Sequence, residues 1–452
     1  MPKWSQLEVK ELKILGGSKL VISTYSVLEN LSLLSEKHLE ENHIIHSKEV
    51  ASVILGIDPA ALKSIKSYWK RLHYRTALNW LTKYKPKKDS SNLGKMKVFI
   101  EAFHHLCDLE DWEKARNLLA IRLDTPTQQQ LHLQLNTWGY YQRQIEIYQR
   151  VLFKLDVDLD MTILGDLGTV YCLLGNYTKG TEYYRNCLAI ARNVGNQNVA
   201  GNILNNLGNV AYCQGKLHVA EEYYLQSLAT ARKISDKKMK ATVIGNLGNN
   251  YNAQDRFDRG SECLHQQLIL AREIDDRYAE ENALGNLGIA YRCLGHHAQA
   301  IEYQKQNLSL AKAIEHRQSE GEALLNLGIA YDSLDDRDRA LDYYQKSLAI
   351  AREIGDRPGE GLALANLGIS LFKLEQDKEA LTTLQIALAI AQQTTQQNLE
   401  ALVLRNLAEV YWLLEQLELA REHCDRALTL ATELGIPLAK ECQTLKEKLE
   451  DE

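Results

Sequence analysis

The sequence predicts an all-α chain, an α-solenoid preceded by a small helical N-terminal domain, and three observations lead there. The first is a clock: Leu167, Leu207, Leu247, Leu287, Leu327, Leu367 and Leu407 recur at one constant interval. A fixed period of that size marks a stack of like supersecondary units. The second is a pair of further series in the same period, from Leu188 to Leu428 and from Ala191 to Ala431. Together they give seven in-register repeats without a gap. The third is composition. Only six of 452 residues are proline and five are phenylalanine, whereas proline ordinarily makes up about 5%.

The N-terminal domain, 1–90, does not keep the period. Residues 1–95 carry 16 Lys/Arg against 9 Asp/Glu, and 60–88 hold nine basic residues and no acidic one. The rest of the chain is acidic, since the whole carries a net charge of −6. HSKEVASVILGIDPAALKSIKSYWKRLHYRTALNWL (46–81) reads as helix, turn, helix, with Asp58 as N-cap and Pro59 in the first turn. It resembles a helix-turn-helix, with Leu62 and Ile65 spaced as expected after Gly56; Ser52 departs from the pattern, which wants alanine there. A nucleic-acid reading would put Lys63, Lys66, Lys70, Arg71 and Arg75 on phosphates. The plainer reading is a solvated basic face, or one that docks on acidic repeats. Tyr68, Trp69, Tyr74 and Trp80 could stack on bases, although aromatics at helical spacing are more often core. KYKPKKDSSN (83–92) reads as a linker across which few contacts pass.

Residues 96–159 read as irregular leading repeats, because DLEDWEKARNLL (108–119) and YYQRQIEIYQRVL (140–152) pattern like second helices of a repeat while Leu152 lies 36, not 40, before Leu188. From 160 to 439 the repeats are regular. In 241–280, Val243, Leu247 and Tyr251 give one amphipathic helix, A, and Phe257, Leu264, Leu268 and Ala271 a second, B. The glycine after each leucine, Gly168 to Gly368, costs about 1 kcal/mol of helix propensity. Its missing side chain lets helix B approach helix A, as do the small residues Gly180, Ala220, Gly260, Ala300, Ala340, Ala380 and Ala420. Residues 440–452 read as a charged capping helix.

LNLGIAYDSLDDRDRALDYYQKSLAIAREIGDR, within 321–360, resembles the tetratricopeptide repeat (TPR) at nearly every position. The 40-residue form is similar to the repeats of LGN/Pins adaptors, kinesin light chains and bacterial STAND-class proteins. That resemblance implies a right-handed superhelix, with A helices on a concave face that holds a peptide or partner protein.

On that expectation the residues beside each Leu-Gly face the groove. Before it stand Asn206, Asn246, Asn286, Asn326, Asn366 and Asn406; after it come Asn209, Asn249, Ile289, Ile329 and Ile369, and one turn on Asn252, Arg292, Phe372 and Trp412, with Asn202, Asn205 and Arg405 nearby. An amide both donates and accepts, so an asparagine ladder can grip a peptide main chain. The alternative is that the asparagine before Leu-Gly ties helix A to the next repeat's backbone. Asn202, Asn205, Asn209, Asn249, Asn250 and Asn252 crowd two repeats only, as a structural device would not.

No stretch of 18 apolar residues exists, so no membrane span is expected. The eight cysteines form no CxxC pair and read as reduced core residues of a cytoplasmic protein. GGSK (16–19) lacks the spacing of a phosphate loop, and His104-His105 and His296-His297 are adjacent, so neither pair can chelate together. No metal, cofactor or catalytic constellation is expected. The sequence therefore points to a non-enzymatic scaffold or adaptor that binds a peptide or partner protein. The alternative is a peptide-sensing transcription regulator with an N-terminal DNA reader.

Overall fold

A computed structural model describes residues 61–84, 90–121 and 129–450. Gly56, Asp58, Pro59 and the leading helix of the expected helix-turn-helix lie outside them. Twenty α-helices run through the described residues, in two compact units that divide between Ile234 and Ser235.

The first unit holds α1 (Tyr68–Lys83), α2 (Asn92–Asp108), α3 (Trp112–Leu119), α4 (Leu131–Thr137), α5 (Tyr141–Val151), α6 (Val157–Leu173), α7 (Tyr177–Asn193), α8 (Gln197–Cys213) and α9 (Leu217–Lys233). Residues 61–81 do not form one continuous helix. A 3-10 turn at Ala61–Ser64 comes first, and α1 then starts at Tyr68, where the Ser67 side chain accepts from the Lys70 amide. Helices α1 and α2 form a hairpin whose core joins Ala77, Leu78 and Leu81 to Met96, Phe99 and Phe103, and runs on through Leu118, Leu135 and Val151 to Leu167. The polar segment expected to be a linker thus connects two helices of one packed hairpin. Burial of the apolar face of α1 overrides the polar composition around it. The irregular spacing before the regular repeats is kept: α5 starts at Tyr141 and α7 at Tyr177, so Leu152 holds the register of Leu188.

The second unit holds α10 (Lys237–Ala253), α11 (Phe257–Glu273), α12 (Arg277–Cys293), α13 (His297–Ala313), α14 (Arg317–Asp332), α15 (Arg337–Glu353), α16 (Arg357–Lys373), α17 (Asp377–Gln393), α18 (Gln397–Leu413), α19 (Leu417–Glu433) and α20 (Leu438–Glu450). Here α10, α12, α14, α16 and α18 are A helices, each followed by its B helix, and α20 closes the stack against α18 and α19.

Local chemistry sets the helix length. Asn176, Asn196, Asp236, Asp276, Asp336 and Asp356 each cap a helix by accepting from the amide three residues on. From Gly175 to Gly435 a residue with positive φ follows the end of each helix in turn, the left-handed stop that orphaned C-terminal carbonyls favour. The glycine of Leu-Gly has the packing reason expected. A Cβ on Gly168, Gly208 or Gly328 would fall 2.5 Å from the ring of Tyr184, Tyr224 or Tyr344 of helix B. Where the glycine becomes Ala408, the residue in the tyrosine's register is Cys424, and both are buried.

Glutamates tie successive repeats of the second unit. Buried Glu280 takes Arg272 Nε at 2.7 Å from the previous B helix, and Glu360 takes Arg352 Nε at 2.9 Å. Each glutamate also pairs with an arginine one turn before it, Arg277 or Arg357. Glu320 repeats this with Lys312 and Arg317.

Candidate functional site

Each inner A helix of the second unit packs on its own B helix, on the preceding B helix and beside neighbouring A helices. One stripe is left for solvent. On α12 it is Asn282, Gly285, Ile289 and Arg292; on α14 it is Glu322, Leu325, Ile329 and Asp332. On α16 it carries Leu362, Ile369 and Phe372, and on α18 Leu402, Arg405, Glu409 and Trp412. Ile289, Ile329, Ile369, Arg292, Phe372 and Trp412 are half-exposed on this stripe.

The asparagine before Leu-Gly lies off the stripe. At 3.6 residues per turn it points about 80° away from the centre of the stripe. Asn206, Asn246, Asn286 and Asn406 are buried, and Asn326 and Asn366 half-buried. Several of the amides bond within their own helix. Asn286 Nδ2 donates to Asn282 Oδ1 at 3.2 Å, and Asn366 Nδ2 to the Leu362 carbonyl at 2.9 Å. Asn406 Oδ1 accepts from Arg405 at 3.3 Å. Glu280 and Glu360 make ties of their own between successive repeats of this unit.

In the first unit Asn202, Asn205, Asn209 and Tyr212 occupy the stripe positions of α8, yet all four are buried. Asn202 Nδ2 donates to Asn198 Oδ1 at 2.9 Å. Asn209 Oδ1 accepts from the Tyr224 hydroxyl at 2.8 Å, as Thr169 meets Tyr184 at 2.8 Å one repeat earlier. Asn209 is therefore the polar partner of the tyrosine that fills the glycine's gap, which corrects its assignment to an open groove.

Asn249 breaks this rule. It holds the register of Asn209, but the helix B residue opposite is Leu264, which has no hydroxyl. Asn249 is 5% exposed, and its Oδ1 has no hydrogen-bond partner among the described residues. A buried acceptor left so costs about 1–3 kcal/mol. Asn252 leans toward helix B rather than the groove: a Cβ on Gly260 would meet its Oδ1 at 1.9 Å. At the far end α20 reaches the stripe, with Lys448 Nζ 5.4 Å above the Trp412 ring and Glu441 3.6 Å from Arg405.

The basic residues near the N-terminus divide. Lys63, Lys66, Lys70 and Arg75 are exposed, whereas Arg71 donates to the Ile65 carbonyl at 2.8 Å. Tyr68 and Trp69 are exposed; Tyr74 donates to Asp111 at 2.7 Å and Trp80 packs on the core.

Sequence reasoning missed a buried polar cluster at the first regular repeat. Tyr148 donates to Asp166 Oδ2 at 2.6 Å, Gln144 donates to the Tyr148 oxygen at 3.1 Å, and His132 Nδ1 lies 2.6 Å from that oxygen. Burial lifts the Asp166 carboxyl to about 7 and depresses His132 to about 4. One signal was available: Asp166 stands where every later repeat has asparagine.

A tetratricopeptide-repeat family profile matches 159–233, 240–313, 297–353 and 319–393, together just over half of the chain. The chain belongs to the tetratricopeptide-repeat family. Solved structures show the same fold. A signal transduction ATPase with numerous domains and a tetratricopeptide-repeat sensor, from Pyrococcus horikoshii, is 15% identical, with 91% of this chain and 68% of that one covered and a TM-score of 0.55. A Rap protein complexed with competence and sporulation factor is 16% identical over 75% of this chain and 98% of its own, with a TM-score of 0.53. Aspartyl phosphate phosphatase F from Bacillus subtilis is 12% identical over 76% and 96%, with a TM-score of 0.53. No curated protein matches the chain. No helix among the described residues is long and apolar enough to cross a membrane, and none of the eight cysteines is in a disulfide.

Proposed function

We propose that this protein is a non-enzymatic interaction scaffold that binds an extended peptide segment of a partner along the A-helix stripe of its second unit. The observation that carries the reading is the make-up of that stripe. It starts at the unpartnered Asn249 acceptor and continues through the half-exposed Ile289, Ile329 and Ile369. The Asn249 oxygen is buried in the unbound protein, and a rotation of its side chain toward a peptide amide would satisfy it. Neighbouring helix axes lie about 8–10 Å apart and an extended chain rises about 3.3 Å per residue. Successive isoleucines therefore match every third peptide residue. The Rap protein of like fold, complexed with competence and sporulation factor, fits such a role. The second reading, a DNA-reading regulator, has only the exposed Lys63, Lys66, Lys70 and Arg75 to carry it, and Arg71 is already engaged.

The test is selection of a random peptide display library on the full chain. Winners should share apolar residues three apart, and Ile329→Asp should abolish their binding while the helical signal stays unchanged. Peptides that bind the Ile329→Asp and Ile369→Asp variants as well as the parent would overturn the assignment.

A further inference from the structure

The hairpin of α1 and α2 brings together three donors that the stripe does not use. His73 comes from α1, and His105 and Asp108 from α2. A spacing of three places His105 and Asp108 on one helix face. The two imidazole Nδ1 atoms lie 3.1 Å apart, and His73 Nδ1 is 3.7 Å from Asp108 Oδ2. One donor atom from each of the three residues falls within 4.8 Å of the others. Zinc holds imidazole nitrogen at about 2.0–2.1 Å and carboxylate oxygen at about 2.0–2.2 Å, so donors around a tetrahedral ion sit about 3.3–3.5 Å from one another. The observed separations bracket that value.

The surroundings favour the arrangement. Arg150 Nη2 of α5 donates to Asp108 Oδ1 at 2.5 Å, which fixes the carboxylate with Oδ2 toward His73, as outer hydrogen bonds orient metal ligands. The Trp69 ring lies 4.1 Å from the His73 ring. His73 is buried, His105 half-buried and Asp108 exposed, so the cluster opens to solvent on the carboxylate side. His104 takes no part, since its Nδ1 faces Arg150 at 3.2 Å. The adjacent pair does not chelate together; His105 instead meets the ring of His73 on the other helix.

We propose that His73, His105 and Asp108 form a binding site for a divalent transition metal of the zinc class, with water or a partner's side chain in the fourth position. Two imidazoles and one carboxylate suit zinc, cobalt or nickel, and are a poor match for calcium or magnesium, which want oxygen ligands. The bound ion staples α1 to α2.

The experiment uses the full chain stripped with chelator and titrated with Co2+ and then Zn2+. One equivalent should give the d–d absorption of tetrahedral cobalt without a thiolate charge-transfer band, and zinc should displace it. His73→Ala, His105→Ala and Asp108→Asn should each weaken binding more than about 100-fold, beyond the loss usual for an outer-shell residue. His218→Ala, at an exposed histidine of α9, should leave it unchanged. Should an alanine variant lose its helical signal, Asp108→Asn, which removes charge and not bulk, decides. The proposal falls if zinc does not bind at micromolar concentration, if Asp108→Asn binds like the parent, or if a thiolate band places the metal on cysteines.

Discussion

Asn209 and Asn249 are the same residue in the same register of successive A helices, and alanine in place of each should act on stability with opposite sign. Asn209→Ala takes the acceptor from the Tyr224 hydroxyl, whose ring is fully buried. A buried hydroxyl without its partner costs about 1–3 kcal/mol, and the better helix propensity of alanine returns about 0.5–0.7 kcal/mol. The expected net loss is about 1–2 kcal/mol. Asn249→Ala removes an oxygen with no bond to lose, so the propensity gain stands and stability should hold or rise by up to about 1 kcal/mol. The two variants should thus differ by roughly 2 kcal/mol. Stacked repeats open locally as well as together. The measurement is therefore hydrogen exchange resolved to α8–α9 for one variant and α10–α11 for the other, beside urea unfolding of the full chain. Equal losses at both sites would show that Asn249 has a structural partner after all, and the proposed peptide acceptor would go with it. Selected peptides should bind the folded Asn249→Ala variant more weakly, by about 0.5–1.5 kcal/mol for one lost hydrogen bond.

Three further outcomes follow from the packing and the charges. Gly208→Ala should cost about 1–3 kcal/mol by overpacking against Tyr224, since the added Cβ falls 2.5 Å from the ring; in a Tyr224→Cys background the same change should cost much less, as the natural Ala408 faces Cys424. Thr395→Gly should raise the melting temperature, because Thr395 sits at φ 52°, a left-handed geometry costing a side chain about 1–2 kcal/mol. Asp166→Asn should make stability pH-dependent. Raised Asp166 favours folding at low pH and loses that as pH climbs from about 4 to about 7, whereas depressed His132 loses stability as pH falls from its unfolded range near 6.5 toward about 4. In the parent the two cancel, with one proton held folded and one unfolded. Without the carboxyl, stability measured by urea titration should rise by about 1.4 kcal/mol per pH unit from about 4 to 6.5, and a flat profile would refute the pairing.

The fold could be read because the repeats state it seven times. Leucine, glycine and alanine recur where helices touch, so the close approach of helices A and B at Gly208 is legible in the spacing, while the Tyr224 ring that meets it appears only in the packed structure. The site was harder, because periodicity cannot separate a residue that faces the groove from one further round the same helix. Asn286 and Ile289 look equally regular in the sequence; only the packed helix shows that one bonds Asn282 while the other meets solvent. Nor can it pair residues brought together by a turn, as with His73 and His105 across a segment that reads as a linker. What a periodic sequence does mark is where it departs from itself, and the departures have physical causes. Aspartate replaces asparagine at 166, where it accepts from the buried Tyr148 hydroxyl. Alanine replaces glycine at 408, where the facing ring has shrunk to a cysteine. At Leu264 the tyrosine hydroxyl disappears while Asn249 keeps its amide. The first two departures come with a compensating neighbour in the structure. The third does not: Asn249 Oδ1, like Asn252 Oδ1 on the same helix, stays buried without a bond among the described residues, so the peptide assignment stands mainly on the apolar stripe that follows.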